Sequence, residues 1–258
     1  MKIKNIALVG NPTCGKTSLF NTLTGTRQKV ANYAGVTVER KEGSFKLPSG
    51  DAIRVLDLPG TYSLKPSSLD EEVTRAVCLG ELKGEILPDI FICVVDATNL
   101  SLHLSLVLEV RALNRPMILV LNMMDEVKKR GISIDKDKLS QLLGIPVVEA
   151  VAVKTKGIQD LINQLDQKNL FITPYHSELS HFEQVKQITK QVILNNDNGD
   201  KRTAFLDKIF LHPVLGLVIL TLTMFVMFQA VFIWATPFIE FIENFVAWLS
   251  DFIGPLIQ

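Results

Sequence analysis

The chain has 258 residues, 47% of them hydrophobic and 21% charged, which is enough apolar material for a packed α/β domain with additions and excludes wholesale disorder. Its formal net charge of +0 hides an asymmetry, because all 27 Lys and Arg lie at or before Lys208 and only Glu240, Glu243 and Asp251 are charged after it. The first 208 residues are therefore +3 (27 minus 24) with no Lys/Arg-rich stripe, which argues against nucleic acid as a partner.

Met1 leads directly into a strand-like run, Ile3 to Val9, so no signal peptide is expected. That strand ends at Gly10, and Lys16 to Leu23 places Leu19, Phe20 and Leu23 on one helical face. Between them "GNPTCGKTS" fits GxxxxGK[ST] through Gly10, Gly15, Lys16 and Thr17. A loop of this kind curls backbone N–H groups around phosphates, and the helix N-terminus adds the positive end of its dipole. The expected phosphate-binding residues are Gly10, Asn11, Pro12, Thr13, Cys14, Gly15, Lys16, Thr17 and Ser18. Lys16 is expected to neutralise the β- and γ-phosphates, and Thr17 to ligate magnesium. Cys14, Cys78 and Cys93 are widely spaced and form no CxxC or Cys/His pattern, so reduced thiols are expected rather than a disulfide or zinc site.

Thr37, within "YAGVTVERKEG", stands where a switch threonine would meet magnesium and γ-phosphate. Gly43 to Leu47 and Ile53 to Leu58 flank "PSGD", a hairpin signal. "DLPG" follows, with Asp57 placed to hold magnesium and the Gly60 N–H placed for the γ-phosphate. Thr61 occupies the position where many small GTPases carry a water-orienting Gln, so hydrolysis must lean on other groups. The runs "IFICVVD", "MILVLN" and "VVEAVAV" alternate with helix-length segments, which predicts an α/β fold with a largely parallel sheet. "NMMD" decides the base: Asp125 can accept from both the ring N–H and the exocyclic amine of guanine, with Asn122 and Met123 completing the motif. Ala152, Val153 and Lys154 occupy the place of a further base-contacting loop, although Ala152 replaces the usual Ser.

Ile158, Leu161, Ile162 and Leu165 close a nucleotide domain over residues 1–166. Residues 167–208 read as an abbreviated helical linker, with "SELSHFEQVKQITKQVILNN" as one capped amphipathic helix. Val214 to Thr236 then supplies 23 uncharged residues, and crossing a bilayer core needs about 20. A transmembrane helix is expected over 209–237, stopped by Pro237, followed by an amphipathic interfacial helix over 238–258. Lys201, Arg202 and Lys208 precede the run and no Lys or Arg follows it, which places the N-terminal domain in the cytoplasm.

Gly10-Lys16-Thr17, Thr37, Asp57 to Gly60 and Asn122 to Asp125, joined to "VVDATNL" and to "DKIFLHPVLG" before the apolar run, resemble the N-terminal part of the FeoB family of prokaryotic ferrous-iron transporters. The resemblance implies a Ras-like P-loop GTPase fold and a helical segment described as a guanine-nucleotide dissociation inhibitor. It also implies a larger iron-transporting domain in the inner membrane, with GTP/GDP, the lipid bilayer, that membrane domain and small accessory Feo proteins as partners, and it leaves a homo-oligomer open. It assigns the catalytic set to Asn11, Lys16, Thr37 and Gly60, magnesium to Thr17, Thr37 and Asp57, and potassium to Asn11, so that a slow, potassium-activated GTPase is expected. A membrane-tethered nucleotide-binding regulatory module and an Era-like GTPase of ribosome or RNA maturation remain as alternatives at this point.

Overall fold

The computed structural model of the chain describes residues 4–25, 28–33, 35–150, 155–166, 175, 177, 179–195, 206 and 208–253. They fall into two compact units, Met1–Asn198 and Gly199–Gln258.

The first unit is built on a seven-stranded sheet of order β2-β3-β4-β1-β5-β6-β8. Its strands are β1 (Asn5–Gly10), β2 (Gln28–Asn32), β3 (Glu39–Lys46), β4 (Ala52–Asp57), β5 (Ile90–Asp96), β6 (Met117–Asn122) and β8 (Val147–Glu149). The pairings β1–β4, β1–β5, β5–β6 and β6–β8 are parallel, and only the β2–β3–β4 edge is antiparallel. The central strands bury nearly every residue because helices cover both faces, which explains their unbroken Val, Ile and Leu runs. On one face Leu19, Phe20 and Leu23 of helix α1 (Lys16–Thr24) join Leu161 and Leu165 of α6 (Thr155–Asp166) against Ile6, Leu8, Ile90 and Ile92. The other face packs residues of α2 (Leu69–Leu79), α3 (Leu100–Ala112), α4 (Met124–Lys129), α5 (Lys136–Leu143) and α7 (His181–Val192) against Ala7, Val9, Phe91 and Cys93. This is a Ras-like fold, and it leaves the loops after β1, β4 and β6 at the carboxyl end of the sheet, where ligands of open α/β sheets bind.

Local signals place the helix ends. Ser68 caps α2 by accepting from the Glu71 N–H, and Gly80 ends that helix in the left-handed region. Asp135 caps α5 in the same way, and Ser180 with Glu183 forms a capping box at the start of α7.

Four boundary expectations in the last third of the chain require correction. The abbreviated helical linker expected over 167–208 does not stand apart from the nucleotide domain in its described part up to Asn195: α7 packs on α3 and α5, and the chain after it, β9 (Ile193–Asn195), pairs antiparallel with β7 (Ser133–Ile134). Burial of Ile188 and Val192 against the main core makes α7 and β9 part of the first unit. The amphipathic helix also stops at Val192 instead of running on through "ILNN", because those residues enter the ladder with β7.

In the second unit, α8 runs without a break from Leu215 to Ile253, so Pro237 does not end it and 238–258 is not a separate helix over its described residues. Proline removes one i to i−4 hydrogen bond, a loss that a 39-residue helix can absorb because the bonds on either side persist. His212 Nδ1 accepts from the Val214 and Leu215 N–H groups at 3.3 Å each, meeting two donors that the helix start leaves over. Inside the apolar run, the hydroxyls of Thr221, Thr223 and Thr236 donate to carbonyls one turn back, so no hydroxyl among them faces the apolar surface unpaired. Leu215–Leu249 is long and apolar enough to cross a membrane, and side chains such as Phe225, Phe232 and Phe238 are exposed along it.

Candidate functional site

The loop between β1 and α1 lines a cavity of about 600 Å³ with Asn11, Pro12, Thr13, Gly15, Lys16, Thr17 and Ser18, together with Gly60, Asp70 and Met123. Thr13 (φ 65°) and Gly15 (φ 87°) are both left-handed, the alternating kind of conformation that forms anion-binding concavities from backbone N–H groups. Gly10 makes the closest approach. A Cβ there would lie 2.4 Å from the Val94 carbonyl oxygen and 2.8 Å from Cys14 Sγ. Gly10→Ala is therefore expected to destabilise the first unit by about 2 kcal/mol, lowering its melting temperature by about 4–8 °C. Thermal melting followed by far-ultraviolet circular dichroism checks this, and an unchanged melting point would refute it. Cys14 is buried beneath the loop, and burial pushes its thiol up to about 11, so it is a filler and not a nucleophile.

Lys16 and Asp57 meet across the site as a buried ion pair, Nζ to Oδ1 at 2.6 Å, and Thr17 Oγ1 donates to Asp57 Oδ2 at 3.2 Å. A smaller cavity of about 240 Å³ joins Lys16, Thr17 and Asp57 to Val38, Glu39, Lys41 and Gly60. The phosphate loop and "DLPG" are locked together: the Thr61 N–H donates to the Gly10 carbonyl at 3.2 Å, and a Cβ on Gly60 would sit 3.0 Å from Pro12 Cα. Thr61 is fully buried, and its hydroxyl is engaged with the Ser63 carbonyl at 2.6 Å and Glu71 Oε1 at 3.2 Å.

Asn122, buried at the end of β6, donates from Nδ2 to the Cys14 carbonyl at 2.8 Å and so ties the base motif to the phosphate loop. Met123 (φ 60°) turns the chain into α4, which puts Asp125 half-buried in the first turn of that helix. Asn11 is buried with neither amide atom hydrogen-bonded. Thr37 is exposed and does not line either cavity; its neighbours Val38 and Glu39 line the smaller one. Ala152, Val153 and Lys154 lie outside the described residues.

A family model described as "Ferrous iron transport protein B" matches residues 4–165. The chain belongs to this family. The Fe(2+) transporter FeoB of Salmonella typhimurium is 45% identical over 188 residues, and that of Escherichia coli K12 is 44% identical over the same length. In both cases the match covers 71% of this chain and 23% of the relative, so the chain spans about a quarter of the length of these FeoB proteins. Among solved structures, the cytosolic domain of Legionella pneumophila FeoB aligns with a TM-score of 0.68 at 32% identity over 74% of this chain and all of that one. The cytosolic domain of Thermotoga maritima FeoB in its GMPPNP form aligns at 0.63 and 34% over 75% of this chain and all of that one.

Motif reading missed the groups that hold the segment after "DLPG" in this FeoB family member. Glu71 accepts from the Tyr62 and Ser67 N–H groups and from the Thr61 and Ser67 hydroxyls. Those bonds, that of the Ser67 hydroxyl first, hold its carboxyl below the usual carboxylate range. Thr74, buried on α2, donates to the Pro59 carbonyl at 3.0 Å. Glu109, on α3, accepts from Ser63 and Leu64. The spacing of Ser68 and Glu71 was a capping signal visible in the sequence, whereas Glu109 lies 46 residues from Ser63 and gave none.

Proposed function

We propose that the chain is the cytoplasmic GTP-binding and GTP-hydrolysing part of a ferrous-iron transporter of the inner membrane, in which nucleotide state gates iron uptake. The observation that carries this reading is the convergence of the phosphate loop, "DLPG" and "NMMD" on one cavity in a chain of the FeoB family. Lys16 and the loop N–H groups would bind the phosphates, Asp125 would select guanine, and Ala152, Val153 and Lys154 would close over the base. Gly60 would present its N–H to the γ-phosphate. Val30 to Lys41, with Thr37, would rearrange with nucleotide state.

Two ions fit the donors present. Thr17 Oγ1 and Asp57 Oδ2 are hard oxygen donors 3.2 Å apart, suited to magnesium, with Thr37 joining them as its segment moves. The Asn11 amide is buried without a hydrogen-bond partner, which leaves its carbonyl oxygen available to potassium. When bound by these residues, magnesium would neutralise phosphate charge and potassium would add positive charge of the kind an arginine finger supplies. With Thr61 in place of Gln and its hydroxyl engaged elsewhere, basal hydrolysis is expected to be slow. The exposed apolar face of α8 supports the bilayer as a partner, and the remaining membrane domain and small accessory proteins would complete the assembly.

The test is turnover of GTP and ATP by the detergent-solubilised 258-residue chain with magnesium, in potassium and in sodium, for wild type and Asn11→Ala. GTP is expected to be hydrolysed and ATP not, with potassium raising the rate about tenfold or more and Asn11→Ala removing that gain. Equal rates in both ions would sink the potassium role, and absent turnover would sink the GTPase.

A further inference from the structure

Beyond the bonds that Glu71 makes to it and Thr74 makes to Pro59, the segment after "DLPG" is fastened to the phosphate loop at Thr61 and to α3 at Ser63 and Leu64. At Thr61 its N–H bonds the Gly10 carbonyl of the phosphate loop. At Ser63 and Leu64 it is held by Glu109: Ser63 Oγ lies 3.0 Å from each carboxylate oxygen, and the Leu64 N–H donates to Oε2. The Ser63 hydroxyl also accepts from the Lys65 N–H at 3.0 Å, so the clamp defines the course of the chain through residue 65. Leu64 itself packs against the main core.

Glu109 is unusual for its place. Leu104, Leu106, Val107, Leu108 and Val110 of the same helix are buried in the core. Among the described residues no cation pairs with the Glu109 carboxylate, and its partners are one O–H and one N–H of this segment. The Glu109 side chain is half-buried, and a carboxylate held by hydrogen bonds to a loop hydroxyl and N–H, without an ion pair, fixes the course of that loop.

We propose that Glu109 is a positioning residue for GTP hydrolysis, holding Ser63 and Leu64 so that the Gly60 N–H stays fixed against the phosphate loop. It rests on the GTPase reading above. Glu109 touches neither phosphate nor base in this scheme. The phosphate loop and Asp125 set nucleotide affinity, so loosening the clamp changes the chemical step and leaves binding alone.

The test measures steady-state GTP turnover and GDP affinity of the full chain for wild type, Glu109→Ala, Glu109→Gln, Ser63→Ala and the double variant Ser63→Ala/Glu109→Ala. Glu109→Ala is expected to lower kcat about tenfold or more, with KM for GTP and Kd for GDP within about twofold, because misplacement at the reacting centre acts on rate. Glu109→Gln, whose amide oxygen still accepts, is expected to recover most of the loss, and the double variant to be no worse than Glu109→Ala alone. Amide exchange at Leu64 is expected to quicken in Glu109→Ala. An unchanged kcat, a fall in affinity matching the fall in kcat, or additive losses in the double variant would each overturn the proposal. If Glu109→Ala fails to fold, Ser63→Ala and Glu109→Gln decide it by the same split. Wild type separates the two levels: if it hydrolyses GTP and the variants match it, only the clamp falls, and if it hydrolyses none, the GTPase reading falls and the clamp with it.

Discussion

Lys16→Met is expected to raise the dissociation constants for GDP and GTP by about a hundredfold or more, the largest effect of any single change at the site. A hundredfold corresponds to about 2.8 kcal/mol, within the range of one or two charge-assisted hydrogen bonds to phosphate. Met keeps the apolar stem that Lys16 packs in the loop and removes only the ammonium. The structure adds a complication, because Lys16 also neutralises the buried Asp57 at 2.6 Å. Removing one partner of such a pair leaves an uncompensated charge and costs stability by about 3–5 kcal/mol. Affinity and stability should therefore separate in the double variant Lys16→Met/Asp57→Asn, which is expected to regain melting temperature without regaining nucleotide. Calorimetric titration of GDP into the full chain, alongside thermal melting, reads both. A Kd within threefold of wild type in Lys16→Met would remove this loop from the binding site altogether.

The second large effect concerns the base. Asp125→Asn is expected to weaken GTP binding about a hundredfold while strengthening binding of the xanthine nucleotide. The carboxylate accepts from the guanine ring N–H and amine at once, and each charge-assisted bond is worth about 1.5–3 kcal/mol. An Asn amide at the same place sets its own N–H against the guanine amine, a donor facing a donor. Xanthine carries a carbonyl at that position and keeps the ring N–H, so it matches the amide on both atoms. The structure supports the placement: Asp125 sits in the first turn of α4 just beyond Met123, which lines the larger cavity, and buried Asn122 fixes the start of this turn to the phosphate loop. Competition by GTP, ATP and xanthosine triphosphate for a fluorescent nucleotide gives the order directly. A variant that still prefers GTP over the xanthine nucleotide would show that Asp125 does not read the base.

Both predictions use residues that stand out in the sequence, and the reason is physical. The phosphate loop is a contiguous strand, loop and helix whose glycines answer to local backbone geometry, so nine neighbouring residues carry the whole signal. The "PSGD" hairpin, the Ser180–Glu183 capping box and the apolar run after His212 are local in the same sense. The edge strand β2 is different: "QKVAN" is exposed throughout and shows no alternation, and it becomes a strand only because the Glu39–Gly43 backbone offers it a partner. Chain after α7 likewise reads as helix by propensity but pairs with β7 far upstream, and α8 passes through Pro237 because its neighbouring turns hold.

Sequence alone determined the strand-loop-helix of the phosphate-loop motif, the parallel sheet and the apolar span, since each depends on neighbouring residues and on their local pattern. Tertiary structure decided what those residues meet. It paired Lys16 with Asp57, left the Asn11 amide without a partner, turned the Thr61 hydroxyl toward Glu71, left Thr37 outside the cavity linings and brought Glu109 across 46 residues to Ser63. Such contacts depend on how strands and helices stack, and stacking is settled by burial of the whole core, which no local pattern encodes.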